Sequence, residues 1–80
     1  MKLEFKMKDT DPSDKELQAL YKLMSKGHHE AVLTLTESLL LAFPSSTKLQ
    51  NIRGYSYSGL EEFDLAIDSY QKSLRLMQEQ

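Results

Sequence analysis

The chain has 80 residues and a mass of 9.2 kDa, with 40% apolar and 28% charged residues, three glycines and two prolines, the mix of one ordinary globular domain. It contains no cysteine, which excludes a disulfide scaffold, a thiolate metal site and a cysteine nucleophile. Ten basic residues against twelve acidic ones leave a net charge of −2, so no electrostatic footprint for nucleic acid or anionic lipid is present.

Residues 1–12 read as an N-terminal extension. Met1, Leu3, Phe5 and Met7 alternate with Lys2, Glu4, Lys6 and Lys8, the period-two pattern of a strand. A lone strand must find a partner for its backbone groups. The extension is therefore either a strand that pairs with another chain or a disordered tail. It is too charged for the apolar stretch of a signal peptide. The longest apolar run, Ser38 to Phe43, is broken by Pro44 and falls far short of the roughly 20 residues that span a bilayer. A cytoplasmic protein without membrane contact is expected.

The pattern predicts a first helix over about 13–26. Leu17, Leu20, Tyr21 and Met24 fall on one face, with the i, i+3, i+4, i+7 spacing of a helix. Ser13-Asp14-Lys15-Glu16 is a capping box, Pro12 stands just outside it, and Gly27 is the stop signal. A second helix is expected over 28–42, with Val32, Leu35 and Leu39 as its stripe and Leu33 and Leu40 widening it. Pro44 ends it, because the residue before proline is driven out of the α region.

Ser45-Ser46-Thr47 offers caps for a third helix over 46–59, where Leu49, Ile52, Ser56 and Leu60 share a face. Gly54 inside this helix costs roughly 1 kcal/mol against alanine, a cost that points to another backbone packed close by. The fourth helix, over 62–78, has the cleanest amphipathic pattern: Phe63, Ala66, Ile67, Tyr70, Leu74 and Met77. Asp64 and Asp68 near its start and Lys72 and Arg75 near its end match the helix dipole. Asp68 and Lys72 form an i, i+4 pair worth about 0.3 kcal/mol.

The second and fourth helices match each other at an offset of 35 residues: Ala31 with Ala66, Leu35 with Tyr70, Leu39 with Leu74. A period in this range on paired helices is a repeat signature. The stretch from Asn51 to Leu74 resembles the tetratricopeptide repeat family. It has Gly54 mid-helix, Tyr57 three residues on, Leu60 closing the first helix and Phe63 opening the second, then Ala66, Tyr70 and Ser73-Leu74. Residues 13–45 form a more divergent first repeat, carrying Gly27, Glu30-Ala31 and Phe43-Pro44 in a shifted register, with Leu20 or Tyr21 in place of the mid-helix glycine. Residues 46–80 form the second repeat. A weaker similarity is to repeat regions that precede bacterial sulfotransferase or glycosyltransferase domains. Its implication is the alternative reading: a truncated scaffolding or regulatory region of a larger enzyme.

The main resemblance implies an all-α fold, two helix-turn-helix units in a short right-handed solenoid. Its repeat core would be Gly54, Tyr57, Leu60, Phe63, Ala66, Ile67, Tyr70 and Leu74. Its concave, partner-binding face would carry Lys48, Asn51, Tyr55, Ser58 and Glu62, with Leu17 and Tyr21 from the first repeat. A protein or peptide would be the ligand, and no cofactor is implied. The carboxylate clamp of chaperone-binding members is missing, since the corresponding places hold Leu17 or Glu16, Tyr21 or Leu20, and Ile52.

Stacked repeats ordinarily need three units and a polar cap. Two units without a cap leave apolar surface on the fourth helix, which self-association, further repeats of a longer array or the N-terminal extension folded over it would cover; self-association into a homo-oligomer is the expectation. No enzymatic chemistry is legible. Gly54 and Gly59 have phosphate-loop spacing, but Leu60-Glu61 follows where lysine and a hydroxyl residue are needed. His28 and His29 diverge by about 100° on a helix and read as a solvated turn rather than a metal site. Glu61-Glu62 reads as a dipole complement at a helix start, and no serine has a base and an orienting acid.

Overall fold

A computed structural model describes residues 10–79; the alternating stretch 1–8 lies outside the described residues. Four helices follow in order: α1 Asp14–Ser25, α2 His29–Ala42, α3 Thr47–Gly59 and α4 Phe63–Glu79. No strand occurs among the described residues. The described residues form an all-helical fold, and each helix begins and ends within one residue of the expected place.

Local chemistry explains the boundaries. The Ser13 hydroxyl accepts from the Glu16 amide at 3.2 Å, and Glu16 Oε1 accepts from the Ser13 amide at 3.0 Å, closing the capping box. Ser46 caps α3 by accepting from the Leu49 amide at 3.1 Å. The same hydroxyl donates to Asp11 Oδ1 at 2.6 Å, fastening the segment before α1 to the start of α3. Pro12 beside it is buried, so it contributes to packing rather than standing idle outside the helix. Phe43, held at φ −129° and ψ 64° before Pro44, ends α2.

The α1–α2 and α3–α4 turns are copies of each other. In the first, the Lys26 and His28 amides donate to Leu23 and the Gly27 amide to Met24; in the second, Leu60 and Glu62 donate to Tyr57 and Glu61 to Ser58. Each pair is 34 residues apart. Both turns are Schellman motifs, which place the residue after the cap in the left-handed region. Gly27 takes that place at φ 75°, and Glu61 takes it at φ 63°.

This register corrects the expected offset of 35. At 34, Ala66 aligns with Val32, and both are buried; Ala31 is exposed. Gly54 aligns with Leu20, which is fully buried, and Tyr55 with Tyr21. The identity of Ala31 and Ala66 favours an offset one residue too long, whereas the backbone hydrogen bonds of the turns fix it at 34.

Leu17 and Leu20 of α1, Val32 of α2, and Leu49 and Ile52 of α3 make the core, with Leu35, Leu39, Leu40 and Phe43 packed on it. The most extensive helix contact is α3 with α4, then α2 with α3, then α1 with α2. On α4 the buried residues are Ala66, Ser69 and Ser73. These small side chains let α4 lie close against α3, and the Ser73 hydroxyl donates to the Thr47 carbonyl at 3.4 Å.

The expected repeat core is therefore corrected in part. Gly54 and Ala66 are buried and Tyr57 is half-buried. Leu60, Phe63, Ile67, Tyr70 and Leu74 are exposed, at 36%, 57%, 53%, 39% and 57%. Among the described residues no further helix lies over them. The expectation that a backbone would crowd Gly54 is also corrected: the neighbour is the Tyr70 ring.

Candidate protein-interaction surfaces

Two surfaces stand out, one polar with single aromatics and one apolar. The first runs along α3. Lys48, Asn51 and Tyr55 are exposed, Ser58 is half-buried, and Glu62 just beyond the helix is exposed. Within α3 the spacing of three and four residues places Lys48, Asn51, Tyr55 and Ser58 in one row, and Glu62 follows beyond the turn. The opposite sides of α3 are occupied: Leu49, Ile52 and Ser56 face the interior, and Gly54 faces α4.

Tyr55 is 48% exposed and its equivalent Tyr21 is 46% exposed. Each presents an apolar ring and a polar tip to solvent, a side-chain type favoured at protein contacts. Leu17 does not belong with them. It is 5% exposed and sits in the cluster that joins α1 to α2 and α3, so no partner reaches it. Its helical spacing alone could not distinguish a groove position from a core position.

His29 is a member of this region that the sequence reading missed. His28 is exposed, as expected of a solvated turn, but His29 is half-buried. Its imidazole lies 5.8 Å from the Tyr55 ring, centroid to centroid, tilted by 59°. It also fills the space that a Cβ on residue 59 would need. Gly59 is thus a seat for an α2 side chain rather than only a helix stop. The Nδ1 atom of His29 is buried without a hydrogen-bond partner among the described residues. The one signal in the sequence was Gly59 itself, two residues short of the turn position that needs a glycine.

A short distance along α3, Arg53 ties this helix to α2. Its Nε lies 2.9 Å from Glu37 Oε2, an ion pair whose alignment falls short of a hydrogen bond. Its guanidinium stands 5.5 Å from the centre of the Tyr57 ring, within cation–π range.

The second surface is on α4. Phe63, Ile67, Tyr70, Leu74 and Met77 are all exposed, Phe63, Leu74 and Met77 at 57% each. Their four-three-four-three spacing is a continuous stripe along the helix. On one side of it lies the row buried against α3, Ala66, Ser69 and Ser73. On the other lies an exposed polar row, Asp64, Asp68, Gln71, Arg75 and Gln78. The expected i, i+4 pair is present, with Lys72 Nζ 3.3 Å from Asp68 Oδ2.

Open depressions occur on α1, lined by Lys15, Gln18, Ala19, Tyr21 and Lys22, and beside the α2–α3 turn, lined by Pro44, Gln50, Lys72, Arg75, Leu76 and Glu79. No group of three His, Asp or Glu side chains among the described residues could hold a metal ion. No described helix is long and apolar enough to cross a membrane. No family model, curated protein or solved structure matches this chain.

Proposed function

We propose that this protein is a non-enzymatic helical-repeat module, of the tetratricopeptide type, that works by binding proteins. The observation that carries the reading is the α4 stripe: five large apolar side chains, 39–57% exposed, in one unbroken row. Soluble monomers seldom leave such a row uncovered, and a contiguous apolar patch with a polar rim is the signature of an interface. The 34-residue spacing of the two turns supports the repeat assignment, because that is the period of the tetratricopeptide unit.

On this reading the two surfaces divide the work. The α4 stripe mediates self-association, and the row of Lys48, Asn51, Tyr55, Ser58 and Glu62, with Tyr21 in the preceding unit, receives a peptide from another protein. An amphipathic tyrosine among short polar side chains suits an extended peptide, whose backbone groups need hydrogen-bond partners while its side chains need apolar contact.

The test of the peptide surface is selection from a displayed peptide library, followed by titration of a selected peptide against Tyr55→Ala and Tyr21→Ala. The proposal expects at least a tenfold loss of affinity for Tyr55→Ala with unchanged helical circular dichroism. Full affinity in both variants would remove these residues from the binding face. A collapse of helicity in Tyr55→Ala would make it a packing residue for His29 instead.

A further inference from the structure

We propose that two copies of this chain pair through α4 in antiparallel orientation, about a two-fold axis at Tyr70. The inference rests on the self-association reading above and adds the partner's orientation and register. The stripe Phe63, Ile67, Tyr70, Leu74, Met77 is symmetric about Tyr70 to within one residue. Reversing one helix against another sets Tyr70 opposite Tyr70, Ile67 nearly level with Leu74, and Phe63 with Met77. Every large side chain then meets a large side chain, which is the self-complementarity that a two-fold interface demands.

Charge selects this orientation over the parallel one. The exposed row beside the stripe is acidic in its first half, Asp64 and Asp68, and basic in its second half, Arg75. Two-fold antiparallel pairing brings this row against the same row of the other copy, reversed. Asp64 then lies within one residue of Arg75 of the second copy, and the contact occurs twice. Asp68 comes level with Lys72, which it already contacts within its own helix at 3.3 Å. Parallel two-fold pairing would instead turn this row towards the flank that α3 occupies, where Asp64 meets no Arg75. The helix dipoles also favour the antiparallel arrangement. The other flank of the stripe is held by α3 through Ala66, Ser69 and Ser73, which leaves the charged flank as the side that a second copy can reach.

The area is adequate for a modest dimer. Five side chains, each exposing about half of the roughly 200 Å² that a large side chain can bury, give on the order of 500 Å² per copy. The pair buries up to about 1,000 Å², the lower bound for a specific interface and the size of a weak one.

The protein has no cysteine, so cross-linking can report the register directly. Ile67→Cys and Leu74→Cys variants would be mixed, oxidised and separated by mass. The proposal expects the Ile67–Leu74 heterodimer to be the dominant cross-linked product, with Ile67–Ile67 the minor one. Predominant Ile67–Ile67 and Leu74–Leu74 products would mean parallel pairing and overturn the orientation while leaving self-association intact. A monomeric mass by sedimentation equilibrium at 500 μM wild-type protein would overturn both, and would assign the stripe to another occupant. Charge reversal supplies an independent arm. Asp64→Arg and Arg75→Asp should each weaken the dimer about three- to tenfold, and the double variant should recover most of that loss. No recovery in the double variant would overturn the Asp64–Arg75 pairing.

Discussion

The Tyr70 ring covers Gly54 so closely that a methyl group on residue 54 would stand 2.8 Å from its Cε1 and Cζ atoms. This contact sets how near α4 lies to α3, and it holds a ring of the α4 stripe at the boundary between the buried row and the solvent. A glycine that weakens α3 by its own conformational entropy is thereby tied to the surface on which the proposed function depends.

A double-mutant cycle reads this contact. Gly54→Ala should gain about 1 kcal/mol of helix propensity and lose about 2 kcal/mol to overpacking against the ring. In the wild-type background a net loss of about 1 kcal/mol is expected in urea unfolding. In a Tyr70→Ala background the ring is gone, and Gly54→Ala should stabilise by about 1 kcal/mol. The same effect in both backgrounds would show that the two residues do not constrain each other.

Glu61 gives a second prediction. It holds φ 63° in a turn whose counterpart uses Gly27 at φ 75°. A side chain costs about 1–2 kcal/mol in the left-handed region, and a glycine costs up to about 1 kcal/mol in unfolded-state entropy. Glu61→Gly should therefore stabilise the protein by about 0.5 kcal/mol, and Gly27→Ala should destabilise it by about 1 kcal/mol. Thermal unfolding of the two variants checks the pair, and a loss of stability in Glu61→Gly would contradict the turn assignment.

Ser46 gives a third. Its hydroxyl caps α3 through the Leu49 amide and also donates to Asp11. Ser46→Ala removes the cap, at about 1 kcal/mol, and leaves the Asp11 carboxylate without its donor, for a total of about 2 kcal/mol. Asp11→Ala leaves the cap in place and should cost less. Denaturant midpoints that rank the two variants the other way would put the weight on Asp11 rather than on the cap.

The helix boundaries were legible because their causes are local. A capping box at Ser13, a proline after Phe43 and a glycine at 27 each act within a turn of the chain, and the sequence displays them directly. The division of α4 into a buried and an exposed apolar side was not legible. Periodicity marks Ala66 and Phe63 alike as apolar, yet only Ala66 is buried, because close approach to α3 selects the small residues and turns the large ones to the edge. Leu17 failed for the reverse reason: its spacing suited a groove, and the cluster with Leu20, Val32 and Ile52 covers it. His29 looked like part of a polar turn, and its reach to Gly59 is a contact between helices that no period within one helix encodes. The register of the first unit turned on a single residue, Ala31 against Val32, and was settled by backbone hydrogen bonds that side-chain identity does not report.

The central claim is that the α4 stripe is an interface rather than incidental apolar surface. Light scattering of the wild-type chain and of Leu74→Asp over a concentration series, about 5 to 500 μM so that a weak interface is sampled, tests it most directly. Leu74 is 57% exposed, so the substitution should leave helicity and unfolding nearly unchanged. The account predicts a wild-type mass that rises with concentration from 9.2 kDa towards twice that value, and a Leu74→Asp mass that stays at one chain. A wild-type mass of one chain throughout the series, or a rise that Leu74→Asp leaves untouched, would contradict it.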